Sequence, residues 1–380
     1  MILPGYVLEL MEALEDAGFQ AWAVGGCVRD ALLGKAPQDY DLCTSASPAQ
    51  TQAVFAHRQL VLAGEKHGTV AVVTASGVIE ITTFRTEGGY DDRRHPGWVR
   101  FVGSVEEDLA RRDFTVNAMA YSPKRGFSDP FGGQKDLKQS ILRAVGDPEK
   151  RFTEDALRIL RGARFAVTYR LRPDEATLRA MNQLAPSIRE LARERVYSEL
   201  CKLIPRATEA DFHRFGHILR CAVAEFGDFS AAARLPENLE LRLAALLLEA
   251  EAPAQVLSSL RSSAAVRESV VFLVENAKMD TSDLPKVLCR HTRPQIEALL
   301  QLQQALHPAD PQPAAQAAAL AQIPPVTLQT LAVSGADLIA QGHKPGAALG
   351  QTLQALLYTV LSRQVPNEKS ALLALCAKLH

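Results

Sequence analysis

Residues 23–30 read AVGGCVRD, and residues 38–42 read QDYDL. The first segment has the pattern of a short apolar strand, a glycine turn and a brief helix, and the second predicts a strand over residues 39–43. Side chains two residues apart on a strand share a face, so Asp39 and Asp41 are expected to point the same way. Two such close like charges are costly unless a cation lies between them, and oxygen ligands suit Mg²⁺. The pair therefore predicts a site for a hard divalent cation.

The glycine turn ahead of this pair suits a phosphate. Gly25 and Gly26 allow close backbone approach, and the N-terminus of the following helix adds unpaired N–H groups and a positive dipole. Arg29 is placed to add positive charge. A lone Gly-Gly is usually an ordinary turn, and a lone Asp-x-Asp is usually a solvated loop. Together, in this order, they favour phosphoryl transfer from a nucleoside triphosphate.

The composition is that of an ordinary globular protein. The chain has 380 residues, 47% of them hydrophobic and 22% charged, which is enough for two to four domains. The longest apolar runs fall far short of a membrane span, and the N-terminus lacks the basic leader of a signal peptide. Six cysteines stand alone, without zinc-type spacing. These features predict a cytoplasmic protein with reduced thiols and no membrane partner.

Strand and helix patterns divide the chain. Residues 1–140 mix the two, including a hairpin pattern over residues 70–84, and from residue 150 onward helix follows helix. The predicted fold class is α+β, with a mixed-sheet head followed by an all-α remainder. The predicted domains are a catalytic head, a base-recognising neck, a body, and a tail that docks the nucleic acid. Their boundaries are 1–140, 141–205, 206–306 and 307–380.

The charge is unevenly distributed. The net charge is only −1, yet residues 111–172 carry 14 Lys and Arg against 7 Asp and Glu. The excess of arginine in the second half of this segment favours contact with phosphates or bases over a merely solvated helix face.

Two further motifs lie in this basic segment. Residues 107–118 read EDLARRDFTVNA, in which paired arginines stand beside an acid and an amide. Such a set can neutralise a triphosphate and hydrogen-bond a ribose, although a charged helix cap has the same pattern. Residues 151–165 read RFTEDALRILRGARF, where three-residue steps predict one helical face shared by Asp155, Arg158 and Arg161.

Taken together, these motifs resemble the class II tRNA nucleotidyltransferases (CCA-adding enzymes) and the closely similar bacterial poly(A) polymerases. The resemblance covers residues 20–205 densely and ends with an Arg-x-x-x-Glu-x-x-Lys motif over 195–202. Each motif is weak alone, but four in the correct order make a chance match improbable. Residues 334–339 and 342–350 of the tail also resemble the family.

The resemblance implies a role for each residue of the head motifs. Asp39 and Asp41 would hold two Mg²⁺ ions, and Glu80, on a predicted strand, would complete the carboxylate set or else simply face solvent. The triphosphate would lie against Gly26, Arg29 and Arg112. The ribose would be sensed by Asp113 and Asn117.

The resemblance also implies how the base is chosen. Asp155 accepts hydrogen bonds and Arg158 donates them, which matches the Watson–Crick edges of cytosine and adenine. Uracil and guanine present a carbonyl to the acid and an N–H to the arginine, so both are repelled. Arg161 and Arg164 resemble supporting positions.

The expected reaction is CCA addition to tRNA from CTP and ATP. The polar loop over residues 86–99 favours A addition, unless it is an ordinary surface loop. An enzyme that adds only A remains open, as does a poly(A) polymerase. From other classes, a non-catalytic tRNA-binding protein and a small-molecule nucleotidyltransferase fit the motifs and the long helical half less well. The sequence indicates no oligomeric state.

Overall fold

The computed structural model describes residues 1–88 and 98–377. The chain forms two compact units, Met1–Ala224 and Glu225–His380. The first contains a mixed sheet and the second is helical, which confirms the predicted α+β class. The finer division into four domains stays a prediction.

Strands and the first five helices are interspersed in the head. In chain order they are α1 (Gly5–Asp16), β1 (Ala21–Val24), α2 (Gly26–Leu32), β2 (Asp41–Thr44), α3 (Pro48–Val54), β3 (Leu60–Val61), β4 (Thr69–Thr74), β5 (Gly77–Thr83), β6 (Arg85–Gly88), β7 (Trp98–Phe101), α4 (Val105–Ala110), β8 (Ala120–Ser122), β9 (Gly126–Ser128), α5 (Gly133–Lys138) and β10 (Ile141–Leu142).

Seven strands form the main sheet in the order β3-β4-β5-β2-β1-β8-β9. The strand β2 pairs antiparallel with β1 and parallel with β5, and in the second pairing Asp41 lies directly opposite Glu80. The predicted hairpin is confirmed, because β4 and β5 pair antiparallel around a short turn. The predicted strand over 39–43 begins late, at Asp41, so Asp39 lies two residues before it.

Local sequence explains several of these boundaries. All four residues of β1 are buried, as expected for a central strand. Ser47 begins α3 with a reciprocal capping box to Gln50, and Pro48 occupies the first turn. Strands β6 and β7 pair antiparallel at the two ends of the predicted 86–99 loop. Its central segment, 90–96, lies outside the described residues.

Helices make up most of the rest of the first unit. They are α6 (Pro148–Glu154), α7 (Leu157–Tyr169), α8 (Glu175–Leu184), α9 (Arg193–Leu203) and α10 (Glu209–Ala222). One short strand, β11 (Arg172–Pro173), pairs with β10, so the expectation that no strand follows residue 150 is wrong. Helix α7 packs closely against Phe114 of the head and Met181 of α8. A Cβ added at Gly162 would lie 2.9 Å from Cζ of Phe114 and 3.1 Å from Cε of Met181.

The second unit consists of helices around its own apolar clusters. They are α11 (Ser230–Arg234), α12 (Leu239–Leu246), α13 (Pro253–Ser259), α14 (Ala264–Glu275), α15 (Leu284–Leu288), α16 (Arg293–Leu306), α17 (Gln312–Gln322), α18 (Gly335–Ala340), α19 (Ala347–Leu361) and α20 (Lys369–Cys376). One cluster joins Leu338, Leu356 and Leu372, and another joins Ile296, Leu300 and Leu320.

Across residues 1–88 and 98–377, no helix is long and apolar enough to cross a membrane. All six cysteines are free thiols, as the isolated spacing predicts.

Candidate nucleotide site

A cavity of about 1030 Å³ lies within the first unit. It is lined by residues from every head and neck motif, and of its described lining side chains ten are basic and five acidic. A cavity with this balance suits a polyanion such as a triphosphate. Eleven of the twelve residues that the sequence singles out line it, namely Gly26, Arg29, Asp39, Asp41, Arg112, Asp113, Asn117, Asp155, Arg158, Arg161 and Arg164. Glu80 does not.

The glycine turn packs directly against the motif over residues 107–118. Gly25 has φ +72° and ψ −122°, and its N–H donates to the carbonyl of Met119 at 3.1 Å. A Cβ at this position would lie 2.8 Å from Nη1 of Arg112. Only glycine allows both this backbone conformation and this close approach.

We expect Gly25→Ala to raise KM for nucleoside triphosphates by about tenfold or more, because the added methyl displaces Arg112 as well as straining the turn, a strain of about 1–3 kcal/mol. Steady-state kinetics and a melting curve measure both effects. Gly126→Ala is the matched control, since Gly126 has φ +77° with nothing within 4 Å of its added Cβ. If both variants lose stability and neither changes KM, the contact with Arg112 does not matter for nucleotide binding.

Two carboxylates face the cavity beside a third on the neighbouring strand. Asp39 and Asp41 line it, and Glu80 lies opposite Asp41 in the β2–β5 register. Desolvation raises the pKa of Asp41, and the negative charges of Glu80 and Asp39 add to the increase, while Arg112 opposes it. Like charges gathered this way are stabilised by a cation between them.

The donor set fits a hard divalent ion such as Mg²⁺, which commonly takes one or two carboxylates together with substrate phosphates. Among the residues that the structure describes, no group of three or more His, Cys, Asp or Glu side chains is arranged to hold a metal ion. Asp39 and Asp41 line the cavity together, and the metal-ligand roles of these two residues and of Glu80 stay predictions.

A buried acid that sequence reasoning missed anchors the paired arginines. Asp108 has no exposed surface, and it accepts hydrogen bonds from Arg111 Nε at 2.9 Å and from Arg112 Nη2 at 3.4 Å. Burial opposes its ionisation, but Arg111 and Arg112 hold its pKa below the ordinary value. The signal was present in the sequence, since Asp108 precedes these arginines by three and four residues on one helical face.

Asp113 is the centre of a buried network. Its Oδ1 accepts from Asn117 Nδ2 at 3.2 Å, and its Oδ2 accepts from Arg161 Nε at 2.8 Å. The Oδ1 of Asn117 in turn accepts from Arg29 Nη1 at 2.5 Å. Burial works against the charge of Asp113, yet Arg161 and Asn117 hold its pKa at about 2. The network joins α2, the motif over residues 107–118 and α7.

This depressed pKa predicts an acid-sensitive contribution to stability. The carboxylate of Asp113 stabilises the folded state at pH values above its ordinary pKa of 3.8, and this contribution is lost as pH falls toward 2. We expect wild type to lose about 1 kcal/mol more unfolding free energy than Asp113→Asn between pH 5 and pH 3. Urea unfolding at the two pH values measures the difference. Asp16→Asn, at an exposed position, should behave like wild type, and equal losses in all three proteins would contradict the assignment.

Arg29 is held on three sides. It is only 5% exposed, and besides Asn117 it donates from Nε to Asp30 at 2.9 Å and from Nη2 to the hydroxyl of Tyr169. Its guanidinium carbon lies 4.0 Å from the centre of the Tyr169 ring, a cation–π contact. Arg29 therefore lines the cavity as a fixed charge, tied to the neck by a tyrosine that the sequence did not single out.

The predicted helical face through Asp155, Arg158 and Arg161 is partly wrong. Asp155 has extended backbone (φ −145°, ψ 105°) and separates α6 from α7, so only the arginines are helical. The break leaves Asp155 Oδ1 to accept from the backbone N–H of Leu157 at 3.0 Å. Both Asp155 and Arg158 still line the cavity.

Arg158 is nearly buried, with 8% exposure. Its Nη1 donates to Glu154 Oε2 at 2.6 Å and to the carbonyl of Arg151 at 3.0 Å, and its Nη2 donates to the carbonyl of Arg111 at 3.2 Å. These bonds use three of the five N–H donors of a guanidinium. The arginine is thus fixed in place while retaining donors for a ligand.

The remaining predicted arginine is secured by another helix. Arg164 Nε donates to Glu199 Oε2 at 2.5 Å, and its guanidinium carbon lies 4.1 Å from the centre of the Phe165 ring. Asp155 Oδ2 accepts from Arg195 Nη2 at 2.9 Å. Helix α9 therefore contacts two predicted site residues, which the sequence motif over 195–202 did not specify.

Comparison with known proteins identifies the family and the fold. Residues 21–143 match the family described as "Poly A polymerase head domain", residues 170–206 match "Probable RNA and SrmB- binding site of polymerase A", and residues 237–376 match domain 2 of tRNA nucleotidyltransferases. The CCA-adding enzyme of Streptococcus gordonii is 36% identical over 97% of this chain and 95% of its own length. The chain belongs to the CCA-adding enzyme family.

A second relative supports the same family. The CCA-adding enzyme of Limosilactobacillus reuteri is 34% identical over 96% of this chain and 94% of its own length. The solved CCA-adding enzyme of Bacillus stearothermophilus, in complex with CTP, has a TM-score of 0.78 at 29% identity and covers 100% of this chain and 98% of that one. The Thermotoga maritima CCA-adding enzyme, complexed with tRNA-CCA, has the same fold, with a TM-score of 0.75 at 19% identity over 100% and 97% of the two chains. The family resemblance of the four motifs, the α+β class and the enzymatic nature of the chain are confirmed.

Proposed function

We propose that the cavity is the nucleotide site of CCA addition, where CTP and ATP bind in turn and are joined to the 3′ end of tRNA with release of pyrophosphate. The observation that carries the proposal is that two carboxylates, paired arginines and the Asp155/Arg158 pair line one basic cavity. The relatives named as CCA-adding enzymes support the same reaction. The solved complexes of family members with CTP and with tRNA-CCA support the two kinds of substrate.

The chemistry follows from the charges. The 3′-hydroxyl of the RNA attacks the α-phosphorus of the nucleotide, and the bond from that phosphorus to the pyrophosphate oxygen breaks. Mg²⁺ held by Asp39 and Asp41 would activate the hydroxyl and stabilise the leaving pyrophosphate, in the two-metal manner of such transfers. The positive charges of Arg112 and Arg29 face the triphosphate, and Asp108 and Asn117 keep these arginines in place.

Base selection rests on Asp155 and Arg158. One hydrogen bond is made to each Asp155 oxygen, and a carboxylate oxygen accepts two, so each has capacity for a base amino group. The unused donors of Arg158 suit the ring acceptors of cytosine and adenine. A site built to hydrogen-bond one edge rejects the mismatched edge strongly, by about 10⁴-fold in comparable cases, because its polar groups are left unpaired.

The ribose and the RNA would occupy neighbouring parts of the cavity. Asp113 and Asn117 lie between Arg29 and Arg161, where a ribose hydroxyl would exchange hydrogen bonds with them. Lys202 and Arg206 also line the cavity and add charge suited to RNA phosphates. We assign the reaction to the cytoplasm because all six thiols are free. We assign nucleotide transfer to the head (1–140), base choice to the neck (141–205) and tRNA docking to the tail (307–380), which follows the body (206–306).

Incorporation onto three synthetic tRNAs tests the proposal. One lacks the whole CCA end, one ends in CC, and one is complete, and each is given Mg²⁺ with CTP, ATP or both. We expect the shortest tRNA to grow by three nucleotides only when both are present, and the complete tRNA to remain unchanged. A single A added only to the tRNA ending in CC would indicate an A-adding enzyme, and open-ended ATP addition would indicate a poly(A) polymerase. Substituting Mn²⁺ or Ca²⁺ tests the choice of Mg²⁺.

A further inference from the structure

One face of helix α9 contacts opposite charges on the wall of the cavity. Arg195 and Glu199 lie one turn apart on it, and they bind side chains that the sequence linked to the base. Arg195 Nη2 donates to Asp155 Oδ2 at 2.9 Å, and Glu199 Oε2 accepts from Arg164 Nε at 2.5 Å. Arg195 thus restrains the carboxylate of Asp155, and Glu199 restrains the guanidinium of Arg164.

We propose that Arg195 is a specificity-determining positioning residue, which fixes the carboxylate of Asp155 in the orientation that admits C and A and rejects U and G. The proposal rests on the proposed function of the cavity. Asp155 lies at a break between helices, so no helical hydrogen-bond ladder sets its side chain. Each of its two oxygens accepts from a different partner. Oδ1 accepts from the N–H of Leu157, and Oδ2 accepts from Arg195. Without Arg195, only the bond to Leu157 would define the carboxylate.

Arg195 also differs from an arginine that serves only to fasten the fold. Arg151 donates to the backbone carbonyls of Ala110, Arg111 and Val145, and its ion-pair partner Glu154 lies outside the cavity. Arg195 instead binds a cavity side chain, lines the cavity itself, and has its Nη1 buried without a hydrogen-bond partner among the described residues. That nitrogen is closed off from solvent, so the role proposed for Arg195 is exerted through its contact with Asp155.

The consequence for base choice is direct. Uracil is rejected because its O4 carbonyl faces the fixed carboxylate of Asp155. A carboxylate that is free to rotate can turn away from that carbonyl, which removes the repulsion and weakens the bond to the cytosine amino group. Loss of Arg195 should therefore act on selectivity more than on the rate of transfer.

The test compares Arg195→Ala with wild type on the full chain, using kcat/KM for CTP and UTP on the tRNA lacking CCA. We expect the preference for CTP over UTP to fall by about 10- to 100-fold, similar to the effect of losing the outer hydrogen-bond partner of a metal ligand. The kcat with saturating CTP should change by less than this factor. Arg195→Lys should restore part of the selectivity, because it keeps the charge without the planar fork.

Arg179→Ala is the matched control, since it removes an arginine from an exposed ion pair with Glu175 outside the cavity. It should keep wild-type selectivity. An Arg195→Ala protein that melts like wild type and keeps its full preference for CTP would overturn the proposal. Failure of wild type to add CCA would instead overturn the proposed function, so the two failures are distinguishable.

A double-mutant cycle covers the case in which Arg195→Ala folds poorly or loses all activity. If Arg195 acts through Asp155, Asp155→Asn and the double variant Asp155→Asn/Arg195→Lys should have the same CTP preference, although Arg195→Lys alone lowers it. Independent, multiplying losses in the double variant would contradict a role exerted through Asp155.

Discussion

Asp39→Ala should abolish nucleotide incorporation while leaving tRNA binding near normal. Asp39 and Asp41 face the cavity together, and the negative charges of Asp39 and Glu80 contribute to the raised pKa of Asp41. A metal at this pair would supply several kcal/mol of charge stabilisation in the transition state, which corresponds to a rate loss of about 10³-fold or more when a ligand is removed. Single-turnover incorporation of CTP onto the tRNA lacking CCA measures the loss, and filter binding at fixed salt measures tRNA affinity.

Two further variants sharpen this result. Asp16→Ala removes an exposed aspartate outside the cavity and should leave incorporation unchanged. Glu80→Gln asks whether the acid opposite Asp41 binds metal as well, in which case its loss should approach that of Asp39→Ala. Retained activity in Asp39→Ala would remove the metal assignment from this residue.

Arg158→Ala should relax the choice of base more than it weakens triphosphate binding. The guanidinium is fixed by Glu154 and by two backbone carbonyls, so its remaining donors have a defined direction. Without them, cytosine and adenine lose their partner and uracil and guanine lose a source of repulsion. We expect the discrimination between CTP and UTP to fall by about 10²-fold out of a total near 10⁴. Relative kcat/KM values for the four nucleotides measure it.

A structural effect of this substitution has to be separated from the chemical one. Arg158→Ala leaves Glu154 without one of its two arginine partners, so melting temperatures belong with the kinetics. Arg158→Lys keeps the charge but not the planar fork, and it should retain triphosphate binding while losing base selectivity. An unchanged nucleotide preference in both variants would contradict selection by this side chain.

The sequence predicted the parts of the site that depend on local pattern. The glycine turn and the hairpin of β4 and β5 each arise from neighbouring residues, and both are present. Eleven of the twelve site residues predicted from the family motifs line one cavity. The start of β2 at Asp41 and the break at Asp155 differ from the prediction. Pairing with β1 and β5 begins only at Asp41, and Asp155 has extended backbone, neither of which follows from residue spacing.

The partners of the site residues could not be predicted in the same way. Asp155 binds Arg195, 40 positions later, and Arg29 binds Tyr169, 140 positions later. No spacing rule connects residues so far apart in the chain, since their contact depends on how α7 and α9 pack. Asp108 is one exception, because its relation to Arg111 and Arg112 lies within one helical turn.

The position of Asp41 between two partner strands has a consequence for purified protein. The strand β2 is bonded to β1 on one side and β5 on the other, so its register is fixed twice over. A slip by one residue would turn Asp41 to the opposite face of the sheet and separate it from Glu80. A molecule with the wrong pairing would therefore be inactive rather than slow. Specific activity in a refolded preparation should accordingly report the fraction of correctly assembled molecules, and not an average over partly competent ones.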